Sequence, residues 1–236
     1  GAELRENGLK SPILVMNVEQ KSMDNLIENR LTPSIYDLGQ LDEFTKKLIL
    51  LGEKNYPIHI KLNTGMNRMG FKSKDFFFGE EIFDKINIQF LMSHFTSADE
   101  KDKKNCNDQL KQLLKLNKKF NSKLSIANSS GCFLDSKYHL DYVRPGKSLY
   151  GMNPFKKEAF KLKQVASLYA PIIQTSFADK NETIGYGKTY RAKKKIKTAT
   201  INFGYANGYL RQGSNRASTF INNIETKVLG RVSMDL

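Results

Sequence analysis

The chain has 236 residues, with 38 lysines and arginines against 24 aspartates and glutamates, so its formal net charge is +14. This length suits one large α/β domain, or one domain and part of a second. Charged residues make up 26% of the sequence, close to the average of about 25% in globular proteins, which argues against a disordered chain. The two cysteines, Cys106 and Cys132, form no CxxC motif, so neither a disulfide framework nor a zinc site is indicated.

The excess of basic residues does not by itself indicate a nucleic-acid partner. The lysines are scattered, the longest run is Lys193-Lys194-Lys195, and no DNA- or RNA-binding signature accompanies them. We therefore expect a solvated, lysine-rich surface and no nucleic-acid binding. The sequence contains no stretch of about 18 apolar residues and no signal peptide, which predicts a reduced, cytoplasmic protein without a membrane partner.

Neither end of the sequence has the pattern of a natural terminus. The chain begins inside an apparent helix that stops at Gly8, and it ends in a strand-like run over 232–236 without a turn or cap. We therefore expect the sequence to be a fragment, cut at both ends.

Short apolar runs alternate with helical patterns over the first part of the chain. Strands are predicted at 12–16, 34–37, 58–62, 88–92, 124–127 and 140–143. Helices are predicted to end at Gly8 and to cover 22–30, 38–51, 73–85 and 103–120. This alternation predicts parallel βα units. A closed barrel needs eight such units, so six units predict a (β/α)8 TIM-type barrel that lacks its first two strands.

From about residue 166 the pattern changes to strands joined by turns. Strands are predicted at 165–177, 197–203 and 227–232, with turns at 178–181 and 221–224. We therefore predict a second, mostly-β domain that is incomplete at its end. The predicted domains are 1–160 and 161–236.

Arg144 stands where the sixth predicted strand meets the turn Pro145-Gly146. Its guanidinium offers a fixed fork of donors, and glycine allows a ligand to approach the backbone closely. On its own this stretch is more typical of a surface turn. Its position at the carboxyl end of a barrel strand, where chemistry takes place in such folds, instead favours a binding site.

Seven blocks of the sequence resemble bacterial alanine racemases and follow that family's order. They are 61–71, 93–99, 127–129, 143–151, 184–190, 204–211 and 230–235. The resemblance covers nearly the whole chain and implies a barrel that binds pyridoxal 5'-phosphate (PLP), followed by a β domain. It implies an isomerase that interconverts L-alanine and D-alanine by a two-base mechanism and supplies D-alanine for peptidoglycan. It also implies a homodimer whose active sites are shared between subunits.

The resemblance assigns a role to each matched residue. Tyr186 is the catalytic phenol on one face of the substrate. The residues implied to bind or surround PLP are Arg144 at the pyridine nitrogen, His94 in the network that links Tyr186 to Arg144, and Ser129, Gly146 and Lys147 at the phosphate. The residues implied at the substrate or its entrance are Arg68, Tyr205, Met234 and Asp235. Lys61 matches a lysine that is carbamylated in many members. His59 is interpreted as an ordinary core histidine.

The sequence departs from the family pattern in its catalytic lysine. That lysine lies in a Lys-Ala-x-Ala-Tyr-Gly motif of the family's first strand, and no such motif is present. The run 147–151 resembles this lysine motif only superficially, because it belongs to the block of the last barrel strand. We therefore expect this polypeptide alone to bind PLP poorly and to racemise nothing.

Smaller departures affect two arginine-containing blocks. Asn63 and Asn207 stand where aspartate is usual, and Asn67 replaces a glycine. Loss of a carboxylate weakens the positioning of a neighbouring arginine, but an amide retains hydrogen bonding, and we favour sequence drift. Two other functions stay open: a racemase for serine or a broader set of amino acids on the same fold, and a non-catalytic basic remnant that binds polyanions.

Overall fold

The computed structural model describes residues 1–75, 86–155 and 161–236. It forms two compact units, Gly1–Val165 and Ala166–Leu236. The predicted helix over 73–85 lies almost entirely outside the described residues. The predicted domain boundary after residue 160 lies at the edge of the undescribed segment 156–160 and stays a prediction.

Five parallel strands form one sheet in the first unit, and their order in the sheet is their order in the chain. They are β1 (Leu14–Val15), β2 (Thr32–Ile35), β3 (Pro57–Lys61), β4 (Asn87–Met92) and β5 (Lys123–Ser125). The described helices of this unit are α1 (Ala2–Glu6), α2 (Met23–Glu28), α3 (Leu38–Leu50) and α4 (Lys104–Phe120). Described helices lie between β1 and β2, between β2 and β3 and between β4 and β5, which confirms the predicted βα units.

The helices cover one face of this sheet because their apolar residues recur at helical spacing. In α3 the residues Leu41, Phe44 and Leu48 are buried in the core. In β3, Ile58 and Ile60 are also fully buried. Successive side chains of a strand point to opposite faces of the sheet. Lys61 follows Ile60 and therefore lies on the face opposite to the helices.

The predicted sixth strand at 140–143 is wrong. Only an isolated parallel bridge joins Ser125 to Tyr142. Leu140 has φ +53°, which an extended strand does not allow, and the Asp141 carboxylate accepts the N–H of Leu124 at 2.8 Å. The segment therefore passes beside β5 without forming a ladder.

The second unit is built from three two-stranded antiparallel sheets. They pair β6 (Ile172–Ala178) with β9 (Ile196–Ile201), β7 (Thr183–Ile184) with β8 (Tyr190–Arg191), and β10 (Ser218–Ile221) with β11 (Ile224–Lys227). The described residues of this unit contain no α-helix, which confirms the mostly-β prediction. The first of these strands begins seven residues later than the predicted start at 165.

The predicted turn at 221–224 is confirmed, and the predicted strand at 227–232 is wrong. Asn222 and Asn223 have φ +50° and +65°, as a two-residue hairpin loop requires. Beyond β11, the N–H of Gly230 bonds to Asn215 Oδ1 at 2.7 Å, and that of Val232 bonds to Ser214 Oγ at 3.0 Å. These N–H groups are satisfied by side chains instead of a neighbouring strand. No described helix has the length and apolar character of a membrane span.

Asp37 caps α3, since its carboxylate accepts the N–H of Gln40 at 2.8 Å. The substitution Asp37→Ala removes this acceptor and a negative charge at the positive end of the helix, so we expect the free energy of unfolding to fall by about 1 kcal/mol. Urea denaturation followed by circular dichroism measures the change. The matched control is Asp42→Ala in the same helix, which loses only an exposed ion pair with Lys46 and should change stability by less than about 0.5 kcal/mol. Equal losses in both variants would contradict the capping role.

Candidate active site

The candidate residues of the first unit meet at one edge of the sheet. Lys61 is the last residue of β3, His94 follows the end of β4, and Ser125 ends β5. Because these strands are parallel and adjacent, their carboxyl ends share an edge. The structure therefore brings together residues that are separated by more than 60 positions in the chain.

Arg144 is fixed at this edge through both its backbone and its side chain. Its N–H bonds to Ala127 O at 2.9 Å. Its guanidinium donates to Ser125 Oγ and to Ser93 O, and Ser125 Oγ donates in turn to Tyr142 O at 2.7 Å. Burial lowers the pKa of Arg144 to about 10. The guanidinium is thus a cation at neutral pH, held by hydrogen bonds to the ends of β4 and β5.

Lys61 is a second cation at this edge and is only 6% exposed. Among the described residues it has no carboxylate partner. Burial lowers the pKa of Lys61, and the positive charges of Arg68 and Arg144 lower it further. A larger fraction of its amine is therefore neutral than in an exposed lysine.

Two histidines stay neutral beside these cations. Burial, together with the charge of Arg144, lowers the pKa of His59 to about 4. Burial and the charges of Arg144, Arg68 and Lys61 lower the pKa of His94 to about 4. A site with three cations and neutral imidazoles favours an anionic ligand.

His59 is a residue that the sequence interpretation missed. It is not fully buried, and its Nδ1 is buried without a partner among the described residues. Its ring packs against Phe90 at a centroid distance of 4.6 Å. Its position two residues before Lys61, on the same side of β3, is the sequence signal that places it on the site's face of the sheet.

The loop that carries Arg68 shows how the asparagine substitutions are accommodated. Asn63 Oδ1 accepts the N–H groups of Gly65 and Asn67, each at 3.1 Å. Asn63 Nδ2 donates to Asn67 Oδ1 at 3.1 Å. Asn67 has φ +54°, a left-handed conformation that asparagine adopts more readily than most residues. The loop therefore keeps its internal hydrogen bonds with amides in place of a carboxylate and a glycine.

The N–H groups of the turn after Arg144 converge on the hydroxyl of Ser129. The buried hydroxyl of Ser129 accepts the N–H of Gly146 at 2.8 Å and, more weakly, that of Ser148 at 3.4 Å. Ser148 Oγ is buried without a partner among the described residues. Hydroxyl and backbone donors next to a buried guanidinium fit a phosphate group.

Ser148 was not singled out from the sequence, although its block was, and its hydroxyl becomes apparent only from the fold. The resemblance assigns the N–H of Lys147 to the phosphate. Lys147 stands between Gly146 and Ser148 in the sequence and is the first residue of the 3-10 turn Lys147–Tyr150.

Tyr186 lies in the second unit, on a short 3-10 turn between Gly185 and Gly187. These glycines have φ +72° and +69°, which non-glycine residues adopt only with strain. The Tyr186 side chain is 72% exposed. A Cβ on Gly187 would lie 3.2 Å from the guanidinium carbon of Arg231, so Arg231 packs directly against this turn. Sequence reasoning did not assign a role to Arg231.

Tyr205, Met234 and Asp235 are brought together in the second unit by backbone contacts. The N–H of Tyr205 bonds to Ser233 O at 3.0 Å, and the N–H of Ala206 bonds to Met234 O at 2.9 Å. The side chains of Tyr205, Met234 and Asp235 are exposed. Residues 30 positions apart thus present neighbouring side chains to solvent.

Asn207 and Arg211 support the same turn. Asn207 Oδ1 accepts the N–H of Gly204 at 3.1 Å, so the amide caps its own 3-10 turn. The guanidinium of Arg211 lies 6.0 Å from the ring centre of Tyr205. Arg211 therefore has an aromatic neighbour where the family pattern offers a carboxylate.

Comparison with known proteins gives the same division of the chain. The family model for the alanine racemase N-terminal domain matches residues 1–154, and that for the alanine racemase C-terminal domain matches residues 165–236. The chain belongs to the alanine racemase family. This membership, with the five parallel strands and the three antiparallel sheets, confirms a partial βα barrel followed by a mostly-β domain.

Curated alanine racemases are similar over the whole chain but are longer than it. The alanine racemase of Rickettsia rickettsii (strain Sheila Smith) is 36% identical over 242 residues, covering 100% of this chain and 66% of the relative. That of Vesicomyosocius okutanii is 34% identical over 232 residues, covering 96% of this chain and 64% of the relative. The chain therefore spans slightly less than two thirds of these relatives.

Solved alanine racemases have the same fold. The Bartonella henselae alanine racemase, solved with covalently bound pyridoxal phosphate, superposes with a TM-score of 0.87 at 27% identity, covering 99% of this chain and 67% of that one. The Acinetobacter baumannii alanine racemase superposes with a TM-score of 0.83 at 30% identity, with the same coverage.

The depressed histidine pKa values predict acid sensitivity of this alanine racemase chain. An unfolded histidine takes up a proton near pH 6.5, whereas folded His59 and His94 do so only near pH 4. Lowering the pH through this window therefore favours unfolding. The substitution His59→Phe removes one such group and fits beside Phe90. We expect it to reduce the loss of stability between pH 6.5 and about 4, measured as urea midpoints at several pH values. An unchanged pH dependence would contradict the assignment.

Proposed function

We propose that this chain supplies the cofactor site and the tyrosine base of an alanine racemase, which interconverts L-alanine and D-alanine with PLP. The observation that carries this proposal is the edge formed by Arg144, Lys61 and Arg68. There the cations have no described carboxylate partner, and the donors around Ser129 converge. An anionic cofactor and an amino-acid carboxylate both suit such a site.

PLP, when bound, acidifies the α-hydrogen of an amino acid by spreading the charge of the resulting carbanion over its ring. The residues of this chain would hold and orient it. Ser129 and the N–H groups of Gly146 and Lys147 would hold the phosphate, for which the Gly146 N–H would exchange its bond to Ser129 Oγ. The Ser148 hydroxyl, which has no partner among the described residues, would add a further donor. Arg144 would lie at the pyridine nitrogen. Because a guanidinium donates hydrogen bonds and stays cationic, it would not favour protonation of that nitrogen, which would limit side reactions.

Proton transfer is assigned to Tyr186 on one face of the substrate. A phenol has an unperturbed pKa of about 10, so it needs cationic or hydrogen-bonding neighbours to exchange a proton at neutral pH. In the proposed homodimer Tyr186 reaches the other subunit's site, where Arg68 and His94 are such neighbours and His94 links it to Arg144. Arg68 also holds the substrate carboxylate.

The substrate entrance is assigned to Tyr205, Met234 and Asp235, which come from the same subunit as Tyr186. Their exposure in the second unit supports a role at a surface that a second subunit completes. The enzyme would supply D-alanine for peptidoglycan in the cytoplasm, without a nucleic-acid or membrane partner. The barrel portion would end near residue 160.

The second base is a lysine whose motif has no counterpart in the sequence. We expect the chain alone to bind PLP weakly and to show no racemisation. Extension of the chain at its N-terminus with a racemase segment that carries the lysine motif should restore coenzyme absorbance and α-hydrogen exchange of alanine with deuterium. In the extended protein, Tyr186→Phe should keep the coenzyme absorbance and slow exchange by about 10²-fold or more. The matched control, Tyr169→Phe, changes another exposed tyrosine and should exchange normally.

The outcomes separate the competing functions. Exchange as fast with phenylalanine at position 186 as with tyrosine would refute the assignment of the base. Faster turnover of serine than of alanine would favour the broader racemase. No turnover in the extended protein, with polyanion binding that falls steeply with salt, would favour a basic remnant.

We also propose that Lys61 carries a carbamate. Its neutral amine would add to carbon dioxide, forming a C–N bond and releasing a proton, and the product would place a negative charge beside Arg68 and Arg144. Such a charge offsets the cost of burying the Arg144 guanidinium. In ¹³C-bicarbonate, NMR should show a carbamate signal that is absent in Lys61→Met and present in the control Lys123→Met. A spectrum without that signal in the unmodified chain would contradict the proposal.

A further inference from the structure

Gln109 lies in α4, is only 3% exposed and uses every hydrogen-bonding site of its amide. Its Nε2 donates to His94 O at 2.8 Å and to Thr64 Oγ1 at 3.2 Å. Its Oε1 accepts the N–H and the hydroxyl of Thr96 at 3.0 and 3.1 Å. One side chain on a helix thus binds two separate loops at the candidate active site.

The hydrogen bonds that continue from Gln109 through Thr64 and Ser93 to Leu62 O run in one donor-to-acceptor order. Ser93 Oγ donates its only proton to Leu62 O at 2.9 Å. Thr64 Oγ1 lies 2.6 Å from Ser93 Oγ and must therefore be the donor in that pair. Thr64 is then free to accept from Gln109, which matches the observed contact. Thr64, Ser93 and Gln109 are all buried, so water cannot replace a lost partner.

This network reaches three of the groups that act on the ligand in the proposed function: Arg68, His94 and Arg144. Thr64 begins the loop that carries Arg68, and the Gln109 amide holds the segment that carries His94. The carbonyl of Ser93 accepts a bond from the guanidinium of Arg144. Gly65 also packs against Gln109, since a Cβ there would lie 3.7 Å from Gln109 Cγ.

We infer that Gln109 is a positioning residue, which holds the His94 segment and the Arg68 loop in register with each other at the carboxyl edge of the sheet. Its catalytic meaning rests on the proposed function. The positioning itself does not, because it can be measured on the chain without coenzyme or substrate.

His94 reports on this positioning. Three cations face it from three different elements: Lys61 of β3, Arg68 of the loop after β3, and Arg144 of the turn after 140–143. His59 is faced by Arg144 and makes no bond to Gln109. Displacement of the His94 segment would therefore change the titration of His94 and leave that of His59 unchanged.

The test replaces Gln109 with methionine, which is of similar length but forms none of the four bonds. We expect the pKa of His94 to rise from about 4 by about one unit or more, because a released ring is better hydrated and further from the cations. An apolar side chain added beside an unmoved ring would lower this pKa instead. The direction of the pKa change therefore distinguishes a displaced His94 ring from an unmoved one. NMR titration of the ring signals of the three histidines measures it. The matched control is Gln112→Met, an exposed position of the same helix, which should leave His94 unchanged.

Three results would overturn the inference. They are an unchanged or lower pKa of His94 in Gln109→Met, an equal rise for His59, and the same rise in Gln112→Met. If Gln109→Met does not fold, the variant Thr64→Val tests the inference instead. It removes the hydrogen bonds of Thr64 to Gln109 and Ser93, while Gln109 keeps its bond to His94 O. A smaller rise for His94 alone, reversed in Thr64→Ser, supports positioning, and no rise overturns it. If the extended protein does not racemise alanine but the pKa of His94 rises in Gln109→Met as expected, the result would count against the proposed function and not against the positioning role.

Discussion

The burial of the Arg144 guanidinium is the constraint on which the first unit's site depends. A charge removed from water costs free energy unless hydrogen bonds or an opposite charge compensate for it. Ser125 and Ser93 supply hydrogen bonds, but no described carboxylate supplies the opposite charge. Burial lowers the pKa values of His59, His94 and Lys61, and the positive charge of Arg144 lowers them further. Arg144 therefore contributes both to the hydrogen bonding and to the electrostatic preference of this edge.

The two units hold their candidate residues by different means. In the first unit the candidate residues stand at or just after the carboxyl ends of strands, and helices bury one face of these strands. Buried polar side chains such as Gln109 and Ser93 connect the strand ends. In the second unit Tyr186 and Tyr205 lie on short 3-10 turns that backbone contacts hold in place. Their side chains are exposed. This arrangement suits groups that act at a surface completed by a second subunit, as the proposed function requires.

Most of the regular structure could be predicted because local pattern and tertiary packing agree. The apolar residues of β3 and β4 and those at helical spacing in α3 and α4 form faces that the fold covers. The errors at 140–143 and 227–232 share a cause: both stretches have the composition of a strand but lack a ladder partner over their length. Strand formation depends on a neighbour that lies elsewhere in the chain, and residue type cannot show whether that neighbour is there.

The sequence by itself determined the alternation of strands and helices, the change to strands joined by turns and the motif blocks of the family. These depend on periodicity, turn residues and short spacings, which are local. Only the tertiary structure decided that Gln109 and Ser148 belong to the site and that His59 lies near enough to Arg144 for that charge to lower its pKa. Partnership in a hydrogen bond and the loss of water around a charge arise between segments distant in sequence, so they exist only once the chain has folded.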